Sequence, residues 1–360
     1  MLKITASAVV LATALLPGPA SAAGPGDWRP TYRGGPVGDT SLRQITGTGD
    51  RAWAISYDGG VSTWSMMTWN GKAWKKAAVP PPLKDADADT VLTRAVSGGT
   101  PWIVAQEWTG RRVRAWRLEG TAWRALPALP AGHGVADAVV VSARDVWVAG
   151  GNGRLSHWDG TSWRRVPAPR RVDRLTAAGP DAVWAMGGGT VMRWDGRRWA
   201  AQALPKIGLP AAPAPRKPEY GCAGVFNAPR MELTGLAAAS AADVWVAGAL
   251  VSRDRKCEGV ATGVGDAVFH WDGRRWKRMR VALKGAELDA VEAAGGRAWL
   301  AAGRYVHEYR GGKWRAAALP RQPDGRPWVS DLASMPGGRV WVYASVSSES
   351  EGDNLIYQFS

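Results

Sequence analysis

The chain has 360 residues and a formal net charge of +15, from 46 Lys and Arg against 31 Asp and Glu. Beyond the N-terminal segment no stretch is long and apolar enough to span a bilayer, which excludes a chain threaded through a membrane by helices. A basic balance of this size ordinarily points to nucleic acid, but the first residues argue for export and so against that partner.

Lys3 precedes an apolar run over residues 4–16, then the helix-breaking Pro17-Gly18-Pro19 and the small-residue pattern Ala20-Ser21-Ala22. This order predicts a secretory signal over 1–22, cut after Ala22 or, alternatively, after Ala23. The remaining 23–360 is expected to be secreted and extracellular. There the available polyanions are cell-wall polymers, acidic polysaccharides and lipid headgroups.

Length alone suggests about two domains, but a repeat overrides that prior. A lone Gly26-Asp27-Trp28 opens the mature chain. A first unit follows around Trp53, Trp69-Asn70-Gly71 and Trp74, and a second around Trp102, Leu118 and Trp123. The clearest copy reads Asp145-Val-Trp-Val-Ala-Gly150, Leu155-Ser-His-Trp-Asp-Gly160, Trp163. It returns around Trp184, Trp194-Asp195-Gly196 and Trp199, then around Trp245, Trp271-Asp272-Gly273 and Trp276. Weaker copies centre on Trp299 with Tyr309 and Trp314, and on Trp341 with Phe359.

Each unit reads as four short antiparallel strands, A to D. The Asp-Gly or Asn-Gly between C and D predicts a two-residue hairpin. In that geometry the flanking tryptophans face one side of the sheet, one diagonal step apart. A single four-stranded sheet cannot bury both faces, whereas sheets stacked radially in a ring can. Strand B supplies a tryptophan in seven units, but the seventh unit ends before a strand D. Trp28 is therefore expected to be that missing strand, pairing with the C-terminal strand and closing the ring without an open edge. The fold class follows: all-β, a seven-bladed β-propeller of four-stranded blades in one domain. Trp64, Trp108, Trp116 and Trp328 fall outside the repeat.

The Trp-(Asp/Asn)-Gly-x-x-Trp hairpin and its Val-Trp strand resemble the repeats of tectonin-type propellers. That resemblance covers the mature chain at repeat level. Strand B departs from it, reading Val-Trp-Val-Ala-Gly. It implies glycan binding or surface recognition. It also implies that the D–A linkers and B–C loops share the face that usually binds ligands. Three long segments fall there: the linker 205–230, the B–C loop 249–266 of blade five and the B–C loop 345–353 of blade seven.

Cys222 and Cys257, in the first two of these segments, are expected to form a disulfide in an exported chain. His157 and His270 occupy equivalent repeat positions and read as structural. No histidine has a partner at metal-ligand spacing and no serine sits in a nucleophile elbow, so no metal, cofactor or catalytic set is expected. Asp137, Asp173, Asp289 and Asp331, near Arg43, Arg94 and Arg174, read either as inter-blade ion pairs or as carboxylates for glycoside chemistry. Asp85, Asp87 and Asp89 alternate as calcium ligands do, but lack the turn glycine of such a loop.

The expected binding site gathers Tyr57, Trp108 and Trp328 with Asp85, Asp87, Asp89, Glu349, Glu351 and Asp353 on blades seven, one and two. The indoles would stack on sugar rings, and the carboxylates would accept hydroxyl hydrogen bonds or bind a cation. Basic pairs at the strand D tryptophan or its turn, such as Lys75-Lys76, Arg164-Arg165 and Arg197-Arg198, predict a positive belt around the rim. The protein is thus read as a monomeric, non-catalytic recognition module for a glycan or anionic surface polymer. A propeller glycosidase or lyase, or a protein-interaction scaffold, is the alternative.

Overall fold

The computed structural model describes residues 28–34, 40–48, 51–58, 63–83, 88–94, 96, 99–107, 112–130, 132, 134–150, 153–218, 221–257, 259–283, 288–323, 325, 327–335, 338–347 and 352–359. The expected signal over 1–22 lies outside these residues.

Seven antiparallel sheets follow one another in the order the repeat predicts. Blade one runs Thr40–Thr48, Arg51–Asp58, Thr63–Trp69, Trp74–Ala77, and blade two Ala88–Arg94, Pro101–Glu107, Val113–Glu119, Ala122–Ala125. Blade three runs Asp137–Ser142, Asp145–Ala149, Leu155–Trp158, Trp163–Val166, and blade four Arg174–Ala177, Val183–Gly187, Thr190–Trp194, Trp199–Gln202. Blade five comprises Arg230–Ser240, Asp243–Arg253, Val268–Trp271 and Trp276–Met279, with an added strand Ala261–Asp266. Blade six comprises Ala290–Ala294, Arg297–Ala302, Tyr305–Arg310 and Lys313–Ala318. Blade seven takes Trp328–Met335, Arg339–Ser347 and Gly352–Phe359 from the C-terminal end, and its fourth strand is Trp28–Gly34. Trp28 pairs with Phe359, ring centroids 4.4 Å apart, so the chain's own ends close the ring as expected.

The recurring tryptophan explains the assembly. Strand B indoles are buried in every blade, and several reach across the seam into the next blade. Trp147 of blade three meets Trp194 and Trp199 of blade four at 5.0 and 5.3 Å. Trp184 meets Trp271 and Trp276 at 5.7 and 5.5 Å, and Trp245 meets Tyr309 and Trp314 at 5.0 and 5.7 Å. Across the closure, Trp341 meets Trp69 and Trp74 at 5.3 and 5.5 Å. One indole therefore fills the angle between two aromatics of its neighbour, and those contacts cannot form unless the two blades stack. Trp64 and Trp116, outside the repeat, are buried in the same core between blades one and two.

The C–D turn differs from the expectation. Trp158 pairs directly with Trp163, which leaves the four residues Asp159 to Ser162 in the loop. The Asp159 carboxylate is the reason. Its Oδ1 accepts the backbone N–H groups of Thr161 and Ser162 at 2.9 Å each, and Gly160 takes φ +95°. The side chain thus closes an Asx turn, as Asn70, Asp195 and Asp272 do in their blades. The two indoles share a face as predicted, but sit opposite each other, 5.6 Å apart, rather than diagonally.

Two expected loops are also partly strand. In blade five, 249–253 pair with 261–266, and in blade seven Val346 pairs with Asp353. Apolar side chains drive both extensions: Leu250 and Val264 pack with Met231, Leu204 and Ile207, and Val346 is buried in the blade seven core.

Candidate functional site

Three regions were marked by the sequence: the channel lined by the A strands, the loop-rich face around it, and the outer rim. In the channel, acceptor side chains of one blade take up backbone N–H groups of the next. Asp331 Oδ2 accepts Ile45 N–H at 2.9 Å, joining blade seven to blade one. Gln44 Oε1 accepts Leu92 N–H at 2.5 Å, joining one to two, and Asp137 Oδ2 accepts Leu175 N–H at 2.8 Å, joining three to four. Between blades six and seven, Ser334 Oγ donates to Glu292 Oε2 at 2.9 Å. These groups surround a polar cavity of about 280 Å³.

Enclosure by protein raises the affinity of both aspartates for a proton. Burial pushes Asp137 up to about 6, against the lowering effect of the Leu175 N–H and of Arg174. Burial likewise pushes Asp331 up to about 7, with the neighbouring Glu292 charge adding to the rise. Chemically the pair can hold blades together and hold protons near neutrality. Their hydrogen bonds to backbone, rather than the ion pairs expected from sequence, are what join the blades. Asp173 and Asp289 do other work: Asp173 pairs with Arg171 at 2.6 Å, and Asp289 accepts Gly303 N–H at 3.2 Å.

On the loop-rich face, three of the expected site residues have described side chains. Trp328 is 47% exposed and lies across the Gly303 turn of blade six, where a Cβ on Gly303 would come 3.4 Å from the indole. Tyr57 packs on Trp64 at 4.9 Å, with the Arg43 guanidinium 5.9 Å from its centroid. Asp353 is tied to Arg33 of the closing strand at 2.6 Å. Each is thus engaged by a different neighbour. Asp89 lies in strand A of blade two, opposite Gln106, with only its backbone described. Trp108, Asp85, Asp87, Glu349 and Glu351 lie outside the described residues.

The disulfide Cys222–Cys257 is present, with a Cα–Cα distance of 5.4 Å. Asp254 organises its surroundings: buried, it accepts the N–H groups of Ala223, Lys256 and Cys257 at 3.1, 2.8 and 3.0 Å. The bridge pins the long linker to the extended B–C hairpin of blade five. His157 and His270 are structural as read. Each stacks on its strand B tryptophan, at 4.0 and 4.3 Å, and bonds to Asp145 or Asp243.

At the rim, Lys75, Lys76, Arg164, Arg165, Arg197, Arg198, Arg274 and Arg275 are exposed. Part of this charge is balanced locally, by Arg164–Asp159 at 3.1 Å and Lys277–Asp272 at 2.8 Å. The turn aspartates are the acceptors, held well below the usual carboxylate range by hydrogen bonds from Thr161 in one case and Lys277 in the other. Among the described residues no helix is long and apolar enough to cross a membrane.

No family model matches the chain, and no curated protein matches its sequence. Solved structures do resemble it. YCF48 bound to D1 peptide aligns over 95% of this chain and 97% of its own, at 11% identity and a TM-score of 0.55. The WD40 domain of Neurospora crassa Pan2 covers 92% of this chain and 95% of its own, at 10% identity and a TM-score of 0.58. The WD40 propeller domain of Doa1 covers 92% and 96%, at 12% identity and a TM-score of 0.54. Identities this low carry the fold alone: the chain is an all-β, seven-bladed propeller.

Proposed function

We propose that this protein is an exported recognition propeller that binds an anionic glycan or surface polymer through the basic rim. The observation that carries the reading is the recurrence of exposed basic pairs on the D strands of blades one and three and at the C–D turns of blades four and five. A repeated charge at repeated spacing suits a repeated anion, since blades three, four and five present their cations one blade-step from the next. The signal-like N-terminus and the disulfide agree with export. The Trp-Asp-Gly hairpins, in their resemblance to tectonin-type repeats, point the same way.

The test is retention on immobilised heparin and polyphosphate across a salt series. Retention should weaken steeply with added salt, and replacing Lys75, Lys76, Arg164 and Arg165 with glutamate should remove most of it. Salt-independent retention, or retention untouched by charge reversal, would refute the reading.

Two observations favour other readings. YCF48 was solved bound to a peptide, which supports a peptide-binding scaffold. The raised Asp137 and Asp331 support a hydrolase, although both carboxylates are occupied by backbone N–H groups. Turnover of a polysaccharide that Asp331→Asn abolishes would establish the hydrolase instead.

A further inference from the structure

In six blades the residue at the end of strand C is aromatic: Trp69, Trp158, Trp194, Trp271, Tyr309 and Phe359. In blade two it is Leu118, which pairs with Trp123 as Trp158 pairs with Trp163. The strand B tryptophan facing that blade is Trp53. It is 5% exposed, whereas its six counterparts are at most 1% exposed. Where the missing ring would sit, the seam between blades one and two opens into a cleft of about 770 Å³. That is well within the size of small-molecule sites.

The lining of this cleft is specific in its chemistry. Trp53, Trp69 and Leu118 form an apolar wall. Thr68 and Thr121 place hydroxyl groups around it, and Arg51 and Lys76 bring two cations. No carboxylate is among its described lining residues. An apolar wall with converging hydroxyls suits a sugar ring, whose C–H face is apolar and whose rim is polar. Two cations with no carboxylate among the described lining residues select a sugar that carries an anion.

We infer that the cleft between blades one and two is a binding site for an acidic sugar unit, a uronate, at the face formed by the A–B and C–D turns. The choice of a sugar rests on the recognition reading above, but the residues differ, save Lys76, which lies at the edge of the rim belt. The site also lies apart from the loop-rich face where the sequence placed a ligand.

The probe is a hyaluronan tetrasaccharide, which alternates glucuronate with N-acetylglucosamine, and the control is the uncharged chitin tetrasaccharide. Calorimetry on the intact protein should show saturable binding of the acidic tetrasaccharide and at least tenfold weaker binding of the neutral one. Leu118→Trp restores the ring that the other blades carry. It should fill the cleft and abolish binding, with the melting temperature unchanged or raised. Arg51→Gln, which leaves the seam unfilled, should weaken binding at least tenfold and serves if Leu118→Trp folds poorly. Full binding by Leu118→Trp or by Arg51→Gln, or equal binding of the neutral tetrasaccharide, would overturn the inference. So would absence of tetrasaccharide binding while heparin retention persists, an outcome that leaves the rim reading standing.

Discussion

Two seams of the ring solve the same packing problem with different residues. Between blades three and four, Trp147 is fully buried between Trp194 and Trp199, and the channel end of the seam is clasped by the Asp137 carboxylate. Between blades one and two, Trp53 faces Leu118 and Trp123, a cleft remains, and the clasp is the neutral Gln44 amide oxygen. The first seam is tight and carries a titratable clasp, whereas the second is open and indifferent to pH at that point. A repeat can thus keep its geometry while single positions are released for other uses. The seam needs an apolar wedge and an acceptor oxygen, not one particular residue.

The closure within blade seven, where the N-terminal strand completes the sheet, sets the upper end of the scale. Deleting Trp28–Gly34 would strip the fourth strand from blade seven and expose the edge of Gly352–Phe359. We expect a loss on the order of 5 kcal/mol, together with aggregation. Urea unfolding and light scattering check this, and an unchanged transition midpoint would show that closure does not govern stability.

The comparison itself predicts unequal costs for the same substitution. Trp147→Ala should cost about 3–5 kcal/mol, as expected for a large ring removed from a filled site. Trp53→Ala should cost about 1–2 kcal/mol less, because part of its surroundings is already open. Equal midpoints for the two variants in denaturant would dissolve the distinction between the seams.

The clasps predict a pH dependence. Asp137 and Asp331 have folded-state values raised to about 6 and about 7, above the ordinary 3.8 of an unfolded chain. Between those limits the folded protein holds protons that the unfolded chain has released. Stability from these groups is therefore complete below about pH 4 and declines as pH rises toward 7. Cooling the comparison to one seam, Asp137→Asn keeps an acceptor oxygen for Leu175 and should flatten the slope by roughly 1 kcal/mol between pH 5 and 8. Gln44→Glu should introduce a slope of the same sign at the blade one–two seam. Glu232 works in the opposite sense. Its hydrogen bond from Arg253 holds it down at about 2, so its stabilisation is lost only as acid protonates it. Thermal melts from pH 2 to 8 read both effects, and a wild-type stability that rises steadily from pH 5 to 8 would contradict the first.

The smallest expected effect is that of Leu118→Trp on stability alone. Filling the open seam should be neutral or stabilising by about 1 kcal/mol. A loss of more than that would mean the cleft is too narrow for an indole, which would remove the analogy between the two seams.

Much of this was legible in the sequence because each blade's requirement is written as a local motif. Trp158, Asp159, Gly160 and Trp163 define a hairpin within a few residues, and the same hairpin recurs wherever a blade must present rings to its neighbour. The lone Trp28 was informative because a ring tolerates no missing strand. The clasps were harder to read. Asp331, Gln44 and Asp137 share a task but not a residue type, since a backbone N–H needs only an oxygen within reach. The extended hairpin of blade five carries little local strand signal, because Ala261–Asp266 holds two glycines among six residues. Its pairing depends on Val264 meeting Leu250 and Met231, which are distant or unremarkable in sequence.

What the sequence determined by itself was the number of blades, the strand order within each, the closure by the N-terminal strand and the pairing of two cysteines. All of these follow from short-range patterns, or from a count that only a closed ring completes. What the tertiary structure decided was the register of the C–D turns, the oxygen clasps across the channel and the open seam beside Leu118. Those depend on what stands opposite a residue in the next blade, and neighbours across a seam are brought together only when the ring closes.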